Sequence, residues 1–158
     1  MSIDPKELIK MTNELRKFSS GYEKFLYNFL LKMGMRAMGQ TKALTPVDTG
    51  NLRNTWFLSA IRREGNYLII DLINTSVYAS FVEDGQWQHA RWVPGRWVGN
   101  RFEYIPNFRR GMMLREKWIP GFFMAKVSIE RIEREMPKRF NAELKQFLKQ
   151  WPATNSTS

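Results

Sequence analysis

Apolar positions recur at helical spacing towards both ends of this chain and at alternating spacing in part of the region between. Leu8, Met11, Leu15 and Phe18 predict a first helix over residues 4–18, with Asp4 placed to cap it and Pro5 at its first position. Ser19-Ser20-Gly21 separates it from a longer helix over 22–44. The stripe of this second helix is Tyr22, Phe25, Leu26, Phe29, Leu30, Met33, Ala37, Thr41 and Leu44. Gly34 and Gly39 weaken that helix by about 1 kcal/mol each relative to Ala, and let another backbone come close. From Phe122 a third helix begins, burying Phe123, Val127, Ile129, Ile132, Met136, Phe140, Leu144, Phe147 and Trp151. Pro137 is expected to kink or break it near Met136.

The middle of the chain opens with TPVDTGNLRNTW, Thr45 to Trp56. These residues make a tight corner: Pro46 ends the helix, Asp48 and Thr49 accept backbone N–H groups, and Gly50 tolerates positive φ. Residues 52–61 and 67–73 then read as two strands of an antiparallel hairpin joined through 62–66. A short helix over 77–83 stops at Gly85. Residues 86–120 show no clean period, with short strands expected only near Trp92–Val93 and Phe102–Ile105. A loop of this length in a compact domain is usually functional or an interaction arm. The pattern predicts an α+β fold, with long helices packed on a small, mainly antiparallel sheet and a long basic aromatic insertion loop. It makes one domain of residues 1–151, followed by a flexible tail over 152–158.

Composition narrows the function. The chain of 158 residues is 43% hydrophobic and 14% aromatic, enough for a packed core. It has no apolar run of membrane-spanning length, and its first residues do not read as a secretory signal. The absence of cysteine removes disulfides and thiolate chemistry, and fits a reducing cytoplasm. The formal charge of +10 is unevenly spread: residues 85–118 carry seven basic and two acidic side chains, whereas 46–84 carry three and five. A local basic site is implied.

No catalytic constellation accompanies that charge. His89 stands alone in the basic loop, no metal-binding His or Cys spacing occurs, and Gly95-Arg96-Trp97-Val98-Gly99 lacks a phosphate-cradling pattern. Asp48, Asp71 and Glu83 are the one carboxylate set whose convergence would hold a divalent cation. Each also has a structural reading: corner, strand and helix end. The expectation is therefore no enzyme activity, no cofactor and no metal site.

The basic loop alternates cations with rings: Trp87, Arg91-Trp92, Arg96-Trp97, Arg101-Phe102, Phe108-Arg109-Arg110 and Lys117-Trp118. Two readings compete. Guanidinium groups pair with phosphate and rings stack on bases, which suits a basic nucleic-acid-binding protein. Trp and Arg are equally the anchors of protein interfaces, and four exposed Trp on a monomer invite association. On this reading Trp87, Arg91, Trp92, Arg96, Trp97, Arg101 and Trp118 are contact residues, buried against other protein copies.

The gapless Thr45–Arg53 segment, TPVDTGNLR, followed by Tyr78, Ala79, Val82, Glu83 and Gly85 in YASFVEDGQ, resembles the tailed-bacteriophage neck and tail-completion protein family. Gln86 stands where Thr or His is often seen. The similarity covers roughly residues 22–150. It implies a non-enzymatic virion component that assembles in the host bacterial cytoplasm. Such a component forms a ring, sixfold by family analogy, at the head–tail junction or the head-proximal end of the tail. Its implied partners are neighbouring neck and tail-tube proteins, with non-specific contact to DNA in the channel and none to membrane. In that setting Pro46, Asp48, Thr49, Gly50 and Arg53 shape the corner that aims the hairpin, and Arg53 is expected to pair with Glu83.

Overall fold

A computed structural model describes residues 5–47 and 50–151. Their backbone contacts separate into two units, one running to Thr75 and resuming at Met124, the other spanning Ser76–Phe123. Asp4, Asp48, Thr49 and the 152–158 tail lie outside the described residues.

The first unit is organised by two helices. Helix α1 spans Pro5–Leu44 without interruption, so the break expected at Ser19–Gly21 does not occur. The reason is packing. Phe18 stacks near Tyr22 at 6.2 Å and meets Trp151 edge-on at 5.2 Å. A Cβ on Gly21 would lie 2.5 Å from the Trp151 ring. Gly21 is thus the seat of an indole, and its propensity cost of about 1 kcal/mol is smaller than what burying one aromatic ring returns.

Helix α4 (Met124–Gln150) runs antiparallel to α1. Partner numbers rise on one helix as they fall on the other: Phe25 meets Phe147 at 5.1 Å, Phe29 meets Phe140 at 5.2 Å, and Arg36 reaches Glu135 at 3.3 Å. Phe29, Met33, Ala37 and Ile132 form the buried cluster, with Met136 and Phe140 packed against it. Pro137 lies inside α4. It deprives the Glu133 carbonyl of its usual N–H partner, yet Met136 and Phe140 on either side keep their core contacts. The helix begins at Met124 rather than Phe122 because Phe123 sits at φ 49°. The hydrogen bond from Arg139, helped by Arg36, holds the Glu135 carboxyl below its ordinary range. Its small stabilising effect is therefore present above that range and lost as pH falls through the lowered value.

Between the helices, Asn51–Asn54 forms one helical turn, α2, where a strand was expected. The sheet follows as β1 (Trp56–Leu58), β2 (Arg62–Glu64), β3 (Tyr67–Ile69) and β4 (Leu72–Asn74). Strand β1 pairs antiparallel with β4, and β2 with β3 through a two-residue turn at Gly65-Asn66. Three residues separate Leu58 from Arg62, against two between their partners Leu72 and Ile69, so the hairpin carries a bulge. Ser59 stitches the bulge, its N–H donating to the Asp71 carbonyl and its hydroxyl accepting from the Asp71 N–H, both at 2.9 Å. The sheet approaches α1 at Gly34, where a Cβ would stand 3.0 Å from Ile70 and 3.3 Å from Leu58. Side chains, not the backbone expected, make this approach, and a Cβ on Gly39 would meet nothing within 4 Å.

The second unit holds α3 (Ala79–Asp84) and five strands: β5 (Gly85–Gln88), β6 (Arg91–Val98), β7 (Arg101–Tyr104), β8 (Gly111–Leu114) and β9 (Lys117–Pro120). The expected long loop with two short strands is thus a β-ribbon. Paired residue numbers sum to 205 in both the β5–β9 and the β6–β8 ladders, so 85–94 and 111–120 run as one antiparallel ribbon in constant register. The second half of β6 turns back through Gly99-Asn100 into β7, on its other edge. Periodicity fails here because a ribbon this narrow has no buried face to impose alternation.

Replacing Phe29 with Ala should lower unfolding free energy by about 3–5 kcal/mol in urea titration, through the cavity left in the seam. Leu15→Ala, on an exposed part of α1, should stay within about 0.5 kcal/mol.

Candidate functional site

Two features of the sequence reading have defined geometry. The first is the corner after α1. The helix ends at Leu44, two residues before Pro46. Thr45 is almost fully buried, and its three polar groups organise the turn. Its hydroxyl donates to the Thr41 carbonyl at 2.7 Å and accepts the Trp56 indole N–H at 3.0 Å. Its carbonyl accepts from the Arg53 guanidinium at 3.1 Å. Gly50 adopts φ 81°, the left-handed conformation expected of it, and precedes the α2 turn that carries Arg53. Asn74 on β4 donates to the Leu52 carbonyl at 2.9 Å, fastening that turn to the sheet. Asp48 and Thr49, the expected backbone acceptors, lie outside the described residues.

Thr45 and Trp56 bracket the corner motif, but their roles were not read from it. The available signal was a threonine four residues after Thr41 at a helix end, facing an indole donor that needs an acceptor when buried. Arg53 and Glu83 fall in different units. Glu83 lies on α3, and its carbonyl accepts the Phe123 N–H at 3.0 Å, beside a Phe122 N–H to Val82 carbonyl bond of 2.8 Å. These two bonds close the base of the ribbon.

Asp71 pairs with Arg62, which also binds Glu64 at 2.7 Å. Those two carboxylates keep the Arg62 guanidinium firmly protonated. Among the described residues no group of three or more His, Asp or Glu side chains is placed to hold a metal ion. None of the described helices is long and apolar enough to cross a membrane.

The second feature is the ribbon. Its tryptophans pair across strands: Trp87 opposite Trp118 with rings 6.3 Å apart, Trp97 opposite Phe102 at 5.3 Å, and Trp92 opposite Met113. Trp87, Trp92, Trp97 and Trp118 nonetheless remain 51–60% exposed. Trp87 and Trp92, an odd number of residues apart, fall on opposite faces of a regular strand, so rings are presented on both sides. The Trp87 indole donates to Glu116 at 2.7 Å, and Arg96 pairs with Glu103 at 2.9 Å. Among the described residues, Arg91, Arg101, Arg109, Arg110, Arg115 and Lys117 enter no ion pair. The ribbon thus joins exposed rings to uncompensated cations.

Comparison with known proteins agrees with the motif reading. Residues 9–85 match the family described as "Bacteriophage HK97-gp10, putative tail-component". Over 111 residues the chain is 35% identical to phage-like element PBSX protein XkdI of Bacillus subtilis strain 168, covering 68% of this chain and 66% of that protein. The chain belongs to this phage tail-component family. It is also 44% identical over 62 residues to the uncharacterized protein YqbI of the same strain, covering 34% of this chain and 37% of YqbI. No solved structure matches it. The chain thus spans just under two thirds of the length of XkdI and little more than a third of YqbI. The family match ends at Gly85, whereas the alignment with XkdI, at 68% of this chain, runs on into the ribbon.

In this tail component Thr45→Val should destabilise by about 1–3 kcal/mol, because it strands the buried Trp56 N–H. Thr45→Ser, which keeps the hydroxyl, should cost less. Thr45→Val combined with Trp56→Phe should recover part of the loss, which a double-mutant cycle in urea would measure.

Proposed function

We propose that this tail component forms an oligomeric ring, sixfold by family analogy, at the head–tail junction or the head-proximal end of the tail, acting as a neck, tail-completion or tail-terminator protein. Its ribbon joins neighbouring subunits or rings around the DNA channel. The observation that carries this reading is the half-exposure of four tryptophans on a ribbon that has no interior of its own. Large rings left in water favour association, and a ring subunit needs patches that meet different patches on its neighbour. The corner serves an architectural role, holding the hairpin against α1.

The excess of seven basic over two acidic side chains in 85–118 favours a second reading, binding to nucleic acid through the ribbon. The two readings separate on assembly. A Trp92→Ala/Trp97→Ala variant should keep the parent's circular dichroism spectrum yet yield far fewer complete particles when it replaces the parent in an induced phage. Assembly at the parental level, together with salt-steep binding of duplex or single-stranded DNA by the isolated monomer, would instead establish the nucleic-acid reading.

A further inference from the structure

Resting on the ring reading, we infer that the ribbon's occupant is an acidic surface of a different virion protein, in an adjacent ring, and not another copy of this chain. The argument is one of charge and apolar area together. Residues 85–118 carry seven basic and two acidic side chains, and one of those acids, Glu103, is spent on Arg96 while the other, Glu116, accepts the Trp87 indole. Five arginines and Lys117 therefore bring their charge to the contact with no ion-pair partner of their own among the described residues. Burying them against protein requires carboxylates opposite.

This chain is poorly equipped to supply those carboxylates. Outside Ser76–Phe123 it carries 18 basic against 11 acidic side chains. Six of those acids, Glu23, Glu64, Asp71, Glu130, Glu135 and Glu143, already sit in ion pairs with their own chain's arginines or lysines. A second ribbon would repeat the same excess of positive charge. Self-contact thus places like charges together, which selects against it. Duplex DNA would satisfy the arginines but leaves the rings uncovered, because its bases are stacked inside the helix and its outer face is phosphate and sugar. Nor are the rings splayed as stacking platforms, since Trp87 leans on Trp118 and Trp97 meets Phe102 edge-on. An acidic polypeptide with apolar sockets matches both halves of the surface.

The test is photo-cross-linking within assembled particles, using full-length protein in which Trp92 is replaced by benzoylphenylalanine. The expected result is a cross-link to one other virion polypeptide, at a peptide whose surroundings are net acidic. Adding Arg91→Glu, Arg101→Glu and Arg110→Glu should lower the cross-link yield at least about tenfold, with thermal unfolding of the purified variant unchanged. Cross-links to a second copy of this chain, to DNA or to an acid-poor surface would each overturn the inference, as would no cross-link in complete particles. Native mass measurement reports separately on the ring. Were no ring found while Trp92 still reached an acidic virion protein, the ring reading would fail while the acidic, non-self partner of the ribbon would stand.

Discussion

Everything in the first unit depends on the aromatic seam between α1 and α4. Isolated helices of ordinary composition are marginal in water, and most helical stability in proteins comes from an apolar face finding a partner. Phe18, Tyr22, Phe25 and Phe29 on α1 interleave with Phe140, Phe147 and Trp151 at the other side of the seam, with ring centroids 5.1–6.4 Å apart. Edge-to-face and offset contacts of this kind add about 0.5–1.5 kcal/mol beyond burial. Lys32–Glu143 and Arg36–Glu135 flank it but are well exposed, so their role is closer to setting register than to supplying stability. At about 1.5 Å per residue, 40 residues make α1 about 60 Å long against about 40 Å for α4.

That seam fixes where the corner begins, and the corner fixes where the sheet lies. Thr41 and Thr45 are one helical turn apart and both are buried, which is unusual for hydroxyls without full hydrogen bonding. Each donates to a carbonyl four residues back, and Thr45 also receives Trp56. The first residue of β1 is thereby tied to the last turn of α1. Gly34 then lets Leu58 and Ile70 come down on the helix. One polar node and one missing side chain together position the hairpin.

Legibility in the sequence followed the presence of a core. The stripes of α1 and α4 were readable because burial on one side enforces their period, and the corner was readable from its turn chemistry. The misreadings arose where local rules met tertiary packing. Ser19-Ser20-Gly21 looked like a stop, and Pro137 admitted a break, but neither interrupts its helix, because side chains packed on both flanks carry each one onward. Asn51–Asn54 looked extended because Leu52 alternates with its neighbours, yet the left-handed Gly50 starts a helical turn there. The ribbon was the least legible part. The seven contact candidates were identified by residue type alone, and five of them, Trp87, Arg91, Trp92, Arg96 and Trp97, lie on β5 and β6, the remaining two on β7 and β9. Nothing in their spacing revealed the pairing that aligns Trp87 with Trp118.

A ribbon of two or three strands is marginal without something to pack on, and cross-strand pairs contribute only about 0.2–1 kcal/mol each. Here the ladder is closed at its base by Phe122 and Phe123 bonding back to Val82 and Glu83, so its two long strands leave α3 already in register. That closure confines the cost of ordering to the base, while the exposed rings farther out remain available to whatever covers them. An arm held in this way keeps its shape from backbone pairing and its specificity from side chains. The two properties can then vary independently.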